Sequence, residues 1–204
     1  MFEDLGVRLA KIRIHDRDAV DAILRFLDEH PSDIIVLATH GREGLPRWLH
    51  GSVAEPVARG ARTDTLFIPQ SARGFVAPEN GAVTLRRILV PVDRQPWPGQ
   101  ALTAAAQIAR LLADRPVALE LLYVGAAADM PSLQIDRASW STVERTIRSG
   151  DVVGQILAAA EQSAADLIVM ATEGHQGFLD AIRGSTTERV LRQAPCPLLA
   201  VPAG

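Results

Sequence analysis

The chain repeats itself. Residues 33–52 read DIIVLATHGREGLPRWLHGS and residues 166–185 read DLIVMATEGHQGFLDAIRGS, an offset of 133 that runs without a gap to Pro69 and Pro202. Identities fall at Asp33/Asp166, Ile35/Ile168, Val36/Val169, Ala38/Ala171 and Thr39/Thr172, and again at Gly41/Gly174, Gly44/Gly177, Gly51/Gly184, Ser52/Ser185, Glu55/Glu188 and Val57/Val190. A period of this kind means that one structural unit is built twice. Carried backwards, the offset pairs Ile23-Leu24 with Ile156-Leu157, Ile14 with Ile147 and Met1 with Gln134, so residues 85–133 have no counterpart. A partial copy is expected over residues 1–72, a linker over 73–84 and a complete copy over 85–204. The Gly, Pro and Asn content of residues 71–84 (SARGFVAPENGAVT) suits an exposed connection.

Hydrophobic periodicity places the elements. In the complete copy, short apolar runs at residues 87–92, 117–124, 167–171 and 198–201 read as buried strands, and 142–148 as a weaker one. Between them, residues 98–113 carry Ala101, Leu102, Ala105, Ile108, Ala109 and Leu112 at helical spacing. Val152, Val153, Ile156, Leu157 and Ala160 mark a second helix, and residues 185–193 a third. Strands alternating with helices predict an open parallel sheet with right-handed crossovers and helices on both faces. The partial copy supplies only later elements: a strand near residues 9–14, a helix at 19–27, strands at 33–38 and 66–68, and a helix after Ser52.

Composition narrows the function classes. With 48% hydrophobic and 22% charged residues in 204, a packed core is affordable and disorder is excluded. The net charge of −3 speaks against a broad nucleic-acid surface. The longest aliphatic runs, such as residues 34–38, are far below the ~20 residues of a bilayer span. Residues 1–4 (MFED) lack the basic-then-apolar layout of a signal peptide, which points to a cytoplasmic protein. The single Cys196 reads as a small core residue, and the five histidines show no HxH or HxxxH spacing, so no metal site is expected. No Ser-His-Asp or paired-carboxylate signature stands out, so no catalytic residue is singled out.

Chemistry concentrates after the strand at residues 167–171. Gly174 follows that strand, and nine residues later Gly184-Ser185 opens a helix, with Ser185-Thr186-Thr187-Glu188 fitting a capping box. A helix start of this kind can hold phosphate through free N–H groups and the dipole. Asp93, ending the first strand of the complete copy, would face the same crevice and accept from ribose or base. Taken singly, a Gly-Ser is more often an ordinary cap and a strand-end Asp a turn residue. Their matched spacing, repeated at Gly41 and Gly51-Ser52, favours a nucleotide-binding ancestry.

Residues 85–204 resemble a universal stress protein domain. The resemblance rests on Leu89-Val90-Pro91-Val92-Asp93 as the first-strand motif, and on Ala171-Thr172-Glu173-Gly174, nine residues, then Gly184-Ser185 as the nucleotide loop. Ala194-Pro195-Cys196-Pro197 matches the closing segment. The family implies a five-stranded parallel sheet in order 3-2-1-4-5, of the adenine-nucleotide alpha-hydrolase type, often dimerised through its last strand. It also implies ATP binding in many members. Pro91 would shape the entry, Asp93 and Val124 would meet adenosine, and Met170, Ala171, Gly174, Gly184, Ser185 and Thr186 would line phosphates and ribose.

There are departures from the family pattern. Ala171, like Ala38 in the first copy, replaces the loop's first glycine and narrows it. Glu173 sets a negative charge beside the phosphate path, so a triphosphate would need a bridging cation such as Mg²⁺. The first copy has no counterpart of Asp93, which leaves Gly41, Gly51 and Ser52 as a vestigial loop. The functional expectation is an ATP-binding regulatory protein of the stress response, homodimeric by family resemblance, with little or no turnover. The alternative is an interaction module that binds no nucleotide, and a slow ATPase ranks last. In order 3-2-1-4-5 the first copy's missing strands are interior, leaving a gap. Either its strand 3 is displaced, a second chain covers the open edge, or the gene starts upstream of Met1.

Overall fold

In the computed structural model, residues 8, 10–14, 18–39, 57, 60, 61, 63–70, 72–172 and 186–203 are described. Seven strands form one sheet: β1 (Ile34–Thr39), β2 (Asp64–Pro69), β3 (Arg87–Pro91), β4 (Ala118–Val124), β5 (Thr142–Arg148), β6 (Leu167–Thr172) and β7 (Leu198–Pro202). The described helices are α1 (Ala19–Glu29), α2 (Gly99–Leu112), α3 (Val152–Gln162) and α4 (Thr186–Leu191). Strand order is β1-β2-β7-β6-β3-β4-β5, parallel throughout except between β2 and β7. Within the complete copy this is the expected order 3-2-1-4-5, and the first copy adds two strands beyond β7.

The joint between the copies follows from the repeat. Leu66 lies opposite Leu199, its own counterpart at the offset of 133. Its neighbours exchange partners, Thr65 facing Ala200 and Phe67 facing Leu198. That pattern is a local two-fold axis through the Leu66–Leu199 pair, with both leucines buried. The same offset carries Ala19–Glu29 onto Val152–Gln162 and Ile34–Thr39 onto Leu167–Thr172. Even the caps repeat. Asp18 accepts from the N–H groups of Val20 (2.7 Å) and Asp21 (3.2 Å), and Asp151 accepts from that of Gly154 (2.8 Å).

Two apolar layers flank the sheet. On one face Ala101, Ala104, Ala105 and Ala109 bring α2 against Ile88, Val90, Leu119, Leu121, Leu167 and Val169. On the other, α3 and α4 set Val153, Ile156, Ala160, Val190 and Leu191 against Leu89, Leu122, Ile168, Met170 and Leu198. In the first copy, a Cβ on Gly60 would lie 2.5 Å from both Leu24 methyl carbons, so that glycine allows the chain to close against α1.

Two expectations are corrected. Arg8 and residues 10–14 form no strand, and residues 10–14, which align with part of β5, are exposed. The reason is the missing neighbour: β5 makes its whole ladder with β4, and the first copy has no β4 equivalent. A strand without a partner leaves its peptide groups to water. The connection over residues 72–84 is also not simply exposed. Phe75 is buried in the α2-side core, and Val76 and Val83 form an antiparallel bridge.

Asp166 clamps this connection to the sheet. Its Oδ2 accepts from the N–H groups of Arg86 (2.8 Å) and Arg87 (3.0 Å), and its Oδ1 meets the Arg73 guanidinium at 3.0 Å. A largely buried carboxylate with three donors is costly to delete. Asp166→Ala is expected to lose about 3 kcal/mol of stability, and Asp166→Asn, which keeps an acceptor oxygen, less. Urea unfolding of both variants checks the ranking.

Burial, with Asp166 nearby, pushes the Cys196 thiol up from 9.0 to about 12. The unfolded thiol ionises first, so this contribution to stability is intact below about pH 9 and is lost as pH climbs toward about 12. A thiol reagent at pH 8 should leave the folded chain unlabelled and label Cys196 fully in denaturant, as absorbance would record.

Candidate functional site

Strand order reverses at β3. From there the chain steps outward to β4 and β5 on one side, and β6 and β7 are added on the other. Pro91, Val124 and Thr172 therefore end three adjacent parallel strands, β3, β4 and β6, on one side of the sheet. In open α/β sheets this carboxyl end, at the switch point, is where a crevice forms.

Each expected residue can be located there. Pro91 is half-buried opposite Leu122, and Val124 is half-buried opposite Arg148. Asp93 lies two residues past β3 with an exposed side chain; its Oδ1 accepts from the Arg94 N–H at 2.7 Å. Ala171 is half-buried and packs toward the α2-side core. Met170 turns the other way and is buried among the α3-side residues, so only its backbone is near the strand end. Thr186 is half-buried as the first residue of α4. Gly174, Gly184, Ser185, Gly41, Gly51 and Ser52 lie outside the described residues.

Two fixings around the crevice had no sequence signal. Arg94 reaches across the mouth: its Nε donates to the Asp129 carbonyl at 3.0 Å, and its Nη2 lies 3.5 Å from the Asp129 carboxylate. The partners are 35 residues apart, so no local pattern betrays them. The second concerns α4. Asp151, already capping α3, approaches Arg189 of α4 at 3.4 Å. The Gly154 N–H first, and Arg189 after it, hold the Asp151 carboxyl below its usual range. Exposed pairs of this kind contribute little energy but orient the helix. Within α4, the buried Glu188 pairs with Arg192 one turn on, while Val190 and Leu191 enter the core. Thr172 is anchored too: its Oγ1 donates to the Val201 carbonyl at 3.3 Å, and its own carbonyl accepts from Ala203 at 2.7 Å.

The universal stress protein family model matches residues 3–69 and 126–202, one stretch in each repeat copy. The chain belongs to the universal stress protein family. A universal stress protein of Methanocaldococcus jannaschii is 25% identical, the match covering 60% of this chain and 85% of that one. Among solved structures, a universal stress protein from Archaeoglobus fulgidus superposes with a TM-score of 0.69 at 25% identity over 92% of this chain. This chain spans 66% of that protein's length. A putative universal stress protein from Pseudomonas aeruginosa shares the fold, with a TM-score of 0.69 at 16% identity, over 98% of this chain and 74% of its own. Among the described residues no helix is long and apolar enough to cross a membrane.

Proposed function

We propose that this universal stress protein is a regulatory nucleotide-binding protein of the stress response. It takes ATP at the carboxyl ends of β3, β4 and β6 with little or no turnover. Support comes chiefly from the exposed Asp93 carboxylate beside the reversal of strand order. One of its oxygens is held by the Arg94 N–H, which orients the group. The other takes no partner among the described residues, so it suits ribose hydroxyls or an adenine amino group. Pro91 and Val124 would border the adenosine, and the backbone at Met170 and Ala171 would border the ribose and phosphates. The glycine loop from Gly174 to Gly184-Ser185, leading into Thr186, would hold the phosphates. With Glu173 in that loop, Mg²⁺ would neutralise the charge between carboxylate and triphosphate.

A second reading is an interaction module with a vestigial loop. It is favoured by the methyl of Ala171 where the family carries glycine, and by the burial of the Met170 side chain.

Calorimetry with ATP and Mg²⁺, together with mass spectrometry of nucleotide released on denaturing the purified chain, separates the two. Binding is expected, and Asp93→Ala should weaken it about tenfold, the ~1.4 kcal/mol of one lost polar contact. No heat, no thermal shift and no released nucleotide would leave the interaction module as the answer.

A further inference from the structure

Asp93 stands on a span of chain that is held at few points. Residues 93–97 run between the buried Val92 and the buried Pro98, and Asp93, Arg94, Gln95 and Trp97 are all exposed. At the far end of the span, α2 starts without a side-chain cap that would fasten it. Among the described residues, the hydrogen bonds and ion pairs that tie this span to another element all belong to Arg94.

The anchor that Arg94 grips is firm. Asp129 closes the short 3-10 turn Ala127–Asp129, and its N–H donates to the Ala126 carbonyl at 2.9 Å. That turn leaves β4 through Gly125, whose N–H donates to the Arg148 carbonyl at 2.8 Å. It continues into Met130 and Leu133, with Leu133 buried in the α2-side core and Met130 packed against it. A Cβ on Gly125 would lie 2.8 Å from the Tyr123 hydroxyl, so the path out of β4 is closely packed as well.

We propose that Arg94 and Asp129 form a strap that positions Asp93 for the nucleoside part of the ligand, an inference that rests on nucleotide binding at this site. Arg94 serves at both ends of the strap. Its guanidinium is fixed to the turn after β4 through Nε and Nη2, and its backbone N–H holds Asp93 Oδ1 at 2.7 Å. Fixing the Arg94 side chain restricts its own peptide, and with it the direction in which the second Asp93 oxygen faces. A contact set in place beforehand costs less to order on binding. Arg94 is then a positioning residue and not a phosphate ligand. Its charge is met by the Asp129 carboxylate, and the ends of β3 and β4 carry the adenosine part of the proposed site, whereas the phosphates are assigned to the loop after β6. Both members of the pair are largely exposed, so the strap adds little to stability and acts on binding.

Without ligand, exchange of the Arg94 amide with water, followed by NMR, should be several-fold faster in Asp129→Ala. The residue-94 amide of Arg94→Ala should exchange faster still after correction for sequence, with the melting temperature of both variants unchanged. In calorimetry, Arg94→Ala is expected to weaken adenosine and Mg²⁺-ATP by the same factor, about threefold. Because Arg94 acts through Asp93, the double variant Asp93→Ala/Arg94→Ala should bind no worse than Asp93→Ala alone. A loss confined to ATP would make Arg94 a phosphate ligand, and full additivity with Asp93→Ala would give it a separate contact. Either result overturns the strap, as does an unchanged amide exchange rate or a large fall in melting temperature. If the unmodified chain binds neither adenosine nor ATP, nucleotide binding itself fails, and the exchange rates alone decide whether Arg94 and Asp129 hold Asp93.

Discussion

The antiparallel contact of β2 with β7 is the joint on which the rest depends. Without it, β1, β2 and α1 of the first copy would have no larger sheet to join, and two strands are marginal alone. With Leu66 against Leu199, β2 and β1 become strands six and seven of a sheet whose core belongs to the complete copy. Leu66 itself is counted in the α2-side core and Phe67 in the α3-side core, so β2 is anchored on both faces. The connection folds back at the Val76–Val83 bridge, sinks Phe75 into the same core as Leu66, and is tied at Asp166.

The same joint determines where the fragment is left open. Pairing at β2 satisfies one side of the first copy, and among the described residues the other side ends at β1, with Ile34 and Val36 exposed. In the complete copy β3 and α2 cover the corresponding side of β6. The proposed nucleotide site lies in the complete copy, where strand order reverses and Asp93 is exposed.

Much of this was legible in the residues. The offset of 133 predicted the α1/α3 and β1/β6 equivalences to the residue, since identical patterns of apolar spacing fold alike. The nucleotide-loop motif follows β6 at its carboxyl end, beside the reversal of strand order at β3. Side-chain direction at Met170 was less readable, because adjacent strand residues face opposite ways and both faces of β6 are apolar. Arg94 with Asp129, and Asp166 with Arg73, join positions far apart in the chain and left no pattern to find.

By itself the sequence determined which elements exist and which family they compose, because periodicity, caps and loop spacing are local and are written twice. Tertiary structure decided which of those elements could remain. Residues 10–14 align with a strand yet form none, since a strand exists only where another offers it hydrogen bonds. Pairing is a property of neighbours in space. The residues that would have been those neighbours have no counterpart in the first copy.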